Sequence, residues 1–235
     1  MRTFLALLAH EARLLFTWAL PLATAGSTLI LILVIETGSP EILPLLKTDP
    51  GLALSMADRL VLRVVELAAP IVGVLAVSHA TSLDVDAGTA ELVGSMPRWT
   101  PGVILRRAAA GFLMLTLSLV FIVLAARLVT GLEFSLDRPF LALPPSVFLA
   151  GLGLVVSAWT RSHAAGLAAA LGLWVMDLIR PGMCTGPLYL FQAGRPPCCQ
   201  TAGLDLCPNR LLLCAGAAFL VALSSWLYSR RGLSR

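Results

Sequence analysis

Apolar residues arrive in long runs along this chain, and the polar residues gather between them. A hydrocarbon core about 30 Å thick is crossed by about 20 helical residues. Six segments meet or approach that length: residues 14–35, 60–80, 108–129, 141–160, 164–179 and 211–228. The pattern predicts an all-α integral membrane protein of six spans, forming a single transmembrane domain over residues 1–235. The fifth segment is short and stops at "DLIRPG", where Pro181 and Gly182 end any helix. Only Arg161, Ser162 and His163 separate the fourth segment from the fifth, so these two spans must be antiparallel neighbours joined by a tight turn.

Composition sharpens this picture. The chain has 235 residues, 58% hydrophobic and 13% charged, with a mean hydropathy of +0.89. Soluble domains average about 45–50% apolar and about 25% charged. The length suits one membrane domain and leaves no room for a separate soluble catalytic domain. A net charge of +4 and a pI near 9.1 would be compatible with nucleic acid. However, sixteen of the seventeen cations are arginines, scattered singly or in pairs at the ends of apolar runs. That placement fits lipid phosphates and snorkelling side chains and excludes a nucleic-acid face. The start of the chain does not read as a cleaved signal peptide, because His10, Glu11 and Arg13 interrupt its apolar residues.

Arginine placement sets the orientation. With both termini in the cytosol, nine cations lie inside and eight outside, a weak bias. The pairs Arg106-Arg107 and Arg230-Arg231 flank spans directly, where the positive-inside rule counts most, and they place both termini inside. Thr3, His10 and Arg13 share one helical face within residues 1–13. These residues read as an amphipathic helix lying in the membrane interface, or else as a frayed extension of the first span.

In this topology the polar stretch "SLDVDAGTAELVGSMPRWTPGVILRR", residues 82–107, faces the cytosol. Asp84 and Asp86 suit the N-terminus of a short helix with the body "GTAELVGSM". Pro97 stops that helix, Trp99 suits the interface, and Pro101 suits the first turn of the next span. The result is a short helix held off the bilayer on two proline-defined arms, with Glu91 and the aspartates exposed.

This stretch resembles the loop after the second span of type-2 ABC (ATP-binding cassette) exporter permeases. The shared pattern is an acidic residue, Gly-Thr, Glu, two apolar residues, Ser, Pro and a basic residue entering the next span. "LLAHEARLLF" near the N-terminus is similar to the elbow helix of the same family. Gly94 departs from the pattern, which calls for a larger apolar residue. The resemblance implies that the loop 82–107 carries a short coupling helix docked on a separate ATPase subunit, with Asp84, Asp86, Glu91 and Arg98 as coupling contacts and Glu11 and Arg13 on the elbow. It further implies two ATP-binding subunits that hold ATP and Mg, and a second permease copy, identical or not. The location would be the cytoplasmic membrane, with export as the activity. Few charges lie within the spans, which favours an amphipathic or lipid-like cargo, and the breadth of the family adds antibiotics.

The residues agree that hydrolysis must come from elsewhere. A P-loop needs a Gly-rich turn ending in Lys-Ser/Thr. The only lysine, Lys47, lies in "PLLKTDPG" without the required glycine before it, so the chain is expected to be no enzyme and to hold no cofactor of its own.

Charges and cysteines within the apolar regions raise a second set of candidates. Arg63 and Glu66 stand three residues apart in the second span and can pair on one face, as can Asp177 and Arg180 at the end of the fifth. Intramembrane charges usually face a protein interior or a water-filled path. Arg63, Glu66 and Asp177 are therefore candidates for a translocation path or gate, or for ion pairs that only satisfy themselves. The outer loop 181–210 carries Cys184, Cys198, Cys199 and Cys207. These could form two disulfides, remain thiols, or bind a soft metal in metal-related export. Their spacing is not that of a standard zinc site, so no metal site is assigned. Within this loop the apolar "GPLYLF" can dip back towards the membrane. His10, His79 and His163 stand far apart, and no Gly-x-Ser-x-Gly elbow is present, which disfavours an intramembrane hydrolase. A non-transporting assembly or sensor protein of the same shape remains the alternative to a transporter.

Overall fold

The computed structural model describes residues 19–48, 50–78, 100–130, 138–180, 185–191 and 206–232. Among these residues there are six α-helices and no strand. They are α1 (Ala19–Thr48), α2 (Pro50–Ser78), α3 (Thr100–Thr130), α4 (Leu143–Thr160), α5 (His163–Ile179) and α6 (Leu206–Gly232). Two short 3-10 turns, Arg138–Ala142 and Gly186–Leu188, precede α4 and lie between α5 and α6. Four stretches within the described residues are long and apolar enough to cross a membrane: Ser55–Val77, Gly102–Leu128, Phe140–Thr160 and Cys207–Arg230. Leu20–Ile35 and His163–Ile179 are shorter apolar helices. Among the described residues the protein is thus all-helical, with several helices of the length and apolarity of a multi-pass membrane protein.

The interfacial helix expected over residues 1–13 and residues 82–99 of the expected coupling loop 82–107 lie outside the described residues. α1, α2, α3 and α6 run beyond the apolar windows that predicted them. α3 begins at Thr100, so Arg106 and Arg107 lie in its second turn instead of in the loop before it. α6 begins at Leu206, so Cys207, Asn209 and Arg210 belong to a helix and not to the outer loop 181–210. A hydropathy window finds the hydrocarbon-like core of a helix. The backbone hydrogen-bond ladder continues through flanking charges as long as those charges find partners or water.

The α4–α5 hairpin follows the sequence closely. Pro144 and Pro145 stand in the first turn of α4, where missing N–H groups cost nothing. Arg161 ends the helix in the left-handed conformation with φ 57°, an unusual place for a residue with a Cβ. Ser162 then caps α5, accepting from the Ala165 N–H at 3.3 Å. The two helices run back to back because Gly166 has no side chain. A Cβ there would fall on the Ser157 hydroxyl and lie 2.5 Å from the Gly153 carbonyl oxygen. Gly111 plays the same part between α3 and α2, where a Cβ would meet Val77 at 2.7 Å.

Two cores result. One joins α1, α2, α3 and α4 around Leu31, Ala69, Leu115, Leu119 and Leu154. Where α1 meets α3, the Thr24 hydroxyl donates to the Ser118 hydroxyl at 3.2 Å, a polar link between apolar faces. The second core collects Val74, Leu149, Ala170 and Leu213 around residues 189–191. The outside carries Leu22, Leu117, Phe121, Leu128, Leu211 and Phe219, all exposed. A water-soluble protein would not present apolar surface on that scale, whereas hydrocarbon accepts it.

Candidate functional site

At the end of the bundle where α5 stops and α6 starts, the chain folds back on itself. Residues 185–191 leave α5, make the 3-10 turn Gly186–Leu188, and bury Tyr189, Leu190 and Phe191 between the helices. Apolar packing supplies half of the reason. Leu190 has no exposed surface, and Phe191 meets both Trp174 and Tyr189 edge to face, at centroid distances of 6.2 and 6.0 Å.

Charged and polar side chains supply the other half. A non-helical segment inside a bundle exposes backbone N–H and C=O groups that must find partners. The Leu190 N–H donates to Asp177 Oδ2 at 2.9 Å, and the Thr185 hydroxyl donates to Asp177 Oδ1. On the other side, Arg210 Nη1 donates to the Leu190 carbonyl at 3.1 Å. Asn209 Nδ2 donates to the Tyr189 carbonyl at 3.3 Å. Arg210 Nη2 in turn donates to Glu66 Oε1, closing an ion pair between α6 and α2. Leu190 is therefore gripped through both of its backbone polar groups, the N–H by a carboxylate on α5 and the carbonyl by a guanidinium on α6.

Every charged member of this clamp is buried: Glu66 is 2% exposed, Arg210 6% and Asp177 0%. Burying an ion costs several kcal/mol, which only close pairing and further hydrogen bonds offset. Two donors of the site, Arg210 Nε and Trp174 Nε1, meet no acceptor among the described residues. The arrangement ties α2, α5 and α6 together through one short segment. What it can do is hold or release a segment of chain.

Of the predicted gate residues, Glu66 and Asp177 come together at this end of the bundle, while Arg63 is exposed on α2. Their spacing pointed to Arg63 and Arg180, one turn away, as partners. The structure adds contacts from much farther along the chain, across 144 positions for Glu66 and 13 for Asp177. Cys207 is exposed on the first turn of α6 and forms no disulfide among the described residues. Glu11, Arg13, Asp84, Asp86, Glu91, Arg98, Cys184, Cys198 and Cys199 lie outside the described residues.

Arg210, Asn209 and Thr185 escaped the sequence reading. Arg210 looked like an end-of-run cation before "LLLC". The signal was Pro208, which suits the first turn of a helix and therefore moves the start of α6 back, placing Arg210 inside it. Comparison with protein-family models, curated proteins and solved structures returned no match.

Proposed function

We propose that this chain is the membrane-spanning permease subunit of an ATP-driven exporter of the type-2 ABC kind. In this reading it crosses the cytoplasmic membrane six times behind an interfacial elbow helix, with both termini in the cytosol. It dimerises with a second permease copy and works with two ATP-binding subunits that bind ATP and Mg. The cargo is amphipathic or lipid-like, a class that includes antibiotics.

The observation that carries the reading is the clamped segment 185–191. A multi-pass protein has no need to bury a non-helical segment at the price of three buried charges unless that segment does something. A plug at one end of the bundle, held by groups on three different helices, is suited to a gate.

In this reading α2 is the route from the ATPase to the gate. Residues 79–99, which hold the coupling pattern, join the end of α2 to the start of α3. Glu66 lies twelve residues from the end of α2 at Ser78, about 18 Å along the helix. A pull on the connecting segment moves α2, and with it the Glu66 carboxylate that holds Arg210. Separation of that pair loosens the grip on the Leu190 carbonyl and frees the segment to move.

The test is co-purification of the tagged chain from native membranes with an ATPase assay on the product, comparing wild type with Glu91→Arg. An ATP-binding subunit should co-purify with the wild type, and the charge reversal should remove it or uncouple its hydrolysis. If no ATPase is recovered with either protein, the transporter reading fails and an assembly or sensor role takes its place.

A further inference from the structure

A lateral groove of about 810 Å³ runs between α3 and α6, closed at one end by the start of α4. Its volume falls within the roughly 300–1,000 Å³ of small-molecule sites. The walls are carbon almost throughout: Leu105, Phe112, Val147, Ala218, Val221 and Ala222. Along α6 it extends from Cys214 to Ser229, about 22 Å of helix axis. That exceeds the ~15 Å that one leaflet contributes to a ~30 Å hydrocarbon core. The groove is long, narrow and apolar, the shape of an extended acyl chain.

One end of the groove differs from the rest. Ser225, Trp226 and Ser229 line it there. The Arg230 guanidinium lies 4.3 Å from the centre of the Trp226 ring, a cation–π contact that holds the charge at the mouth. An apolar trough that ends in a fixed cation beside an amphipathic indole matches an amphiphile with an anionic head. The groove also faces outward, since only 39% of the α3 span and 22% of the α6 span are buried. What surrounds those faces is the bilayer.

We propose that this groove is a binding site for an anionic phospholipid of the surrounding bilayer, with one acyl chain laid between α3 and α6 and its phosphate on Arg230. The site is separate from the clamp and does not rest on the transport reading. Arg230 supplies the headgroup preference, and the lining from Cys214 to Ala222 supplies the chain contact.

Trp226 is a reporter built into the site. The protein is reconstituted in phosphatidylcholine vesicles doped with either phosphatidylglycerol or phosphatidylcholine brominated on the acyl chain. The Trp226 contribution is taken as the difference between wild type and Trp226→Phe. The expected result is stronger quenching by the brominated anionic lipid at equal mole fraction, with an enrichment of about fivefold, the factor expected of one arginine beside an anionic headgroup. Arg230→Gln should abolish that headgroup preference while leaving quenching by the zwitterionic lipid unchanged. Ala222→Phe, which fills the trough, should reduce quenching by both; if it does not fold, the Arg230→Gln comparison decides alone. Equal quenching by the two lipids in the wild type overturns the proposal, as does a preference that survives Arg230→Gln. Absence of quenching by either lipid also overturns it, and would mean that protein, such as a second copy of the chain, covers the groove.

Discussion

Glu66 and Arg210 stand 144 positions apart, yet Arg210 Nη2 donates to Glu66 Oε1 inside the bundle, where the two side chains are 3% and 8% exposed. A pair buried this deeply fails badly when one half is removed, because the other half is left as an uncompensated charge. Glu66→Leu or Arg210→Met alone should therefore cost about 3–5 kcal/mol, measured as loss of stability in detergent. The double variant should recover much of this. Recovery should stop short of complete, since Arg210 also serves the Leu190 carbonyl, and an unsatisfied buried acceptor costs about 1–3 kcal/mol. Additive losses in the double variant would show that the two residues are not energetically coupled.

Asp177 holds the other backbone group of Leu190, its N–H. As a carboxylate it accepts from both the Thr185 hydroxyl and the Leu190 N–H. Asp177→Asn keeps the shape but replaces one acceptor with an amide donor, which then faces a donor. The loss should be about 1.5–3 kcal/mol, the range for hydrogen bonds to a charged group. It should be local: amide exchange should quicken at residues 185–191 and remain unchanged in the α1–α3 core. Uniform quickening across all helices would instead make Asp177 a determinant of the whole fold.

These two carboxylates also mark the limit of what the sequence revealed. Apolar run length found every helix among the described residues, and "TRSHAAG" correctly placed a tight turn between α4 and α5. Each of those features is set by residues within one or two turns of each other. Glu66 and Asp177 stood out because a charge in an apolar run is rare. Their contacts with Arg210 and Leu190 depend on how α2, α5 and α6 come together, and no local spacing encodes that. The segment "GPLYLF" was legible as a stretch able to dip inward, yet its two-sided grip on Leu190 was not. Arg210 was hidden for a simpler reason, since a cation beside an apolar run looks the same whether it snorkels or turns inward.

Small residues that allow close approach give a sharper test of packing. A Cβ at Gly166 would collide with the Ser157 hydroxyl and with the Gly153 carbonyl oxygen. Gly166→Ala should thus force α4 and α5 apart, at about 1–3 kcal/mol. Ser157→Gly added to it should relieve part of the loss but not all, because the Gly153 carbonyl belongs to the backbone. Gly172, on the same helix, has open space around its would-be Cβ. Gly172→Ala should be neutral or slightly stabilising, given the higher helix propensity of alanine. Thermal unfolding of the three variants in one detergent makes the comparison. Equal losses at Gly166 and Gly172 would count against the α4–α5 contact.

Orientation is open to a direct chemical test at Cys207. Its thiol is exposed on the first turn of α6 and forms no disulfide among the described residues, whereas Cys214, seven residues further on, lines the apolar groove about 10 Å deeper along the axis. With six spans and both termini in the cytosol, α6 starts on the outer face. A variant that keeps Cys207 and carries serine at the other four cysteine positions should react with a membrane-impermeant charged maleimide in intact cells, nearly as fully as after lysis. The matching variant that keeps only Cys214 should stay unlabelled by the same reagent in both conditions, because a charged reagent does not enter hydrocarbon. Labelling of Cys207 only after lysis would place the start of α6 in the cytosol. The polar segment between α2 and α3 would then lie outside, where no ATPase subunit could reach Glu91.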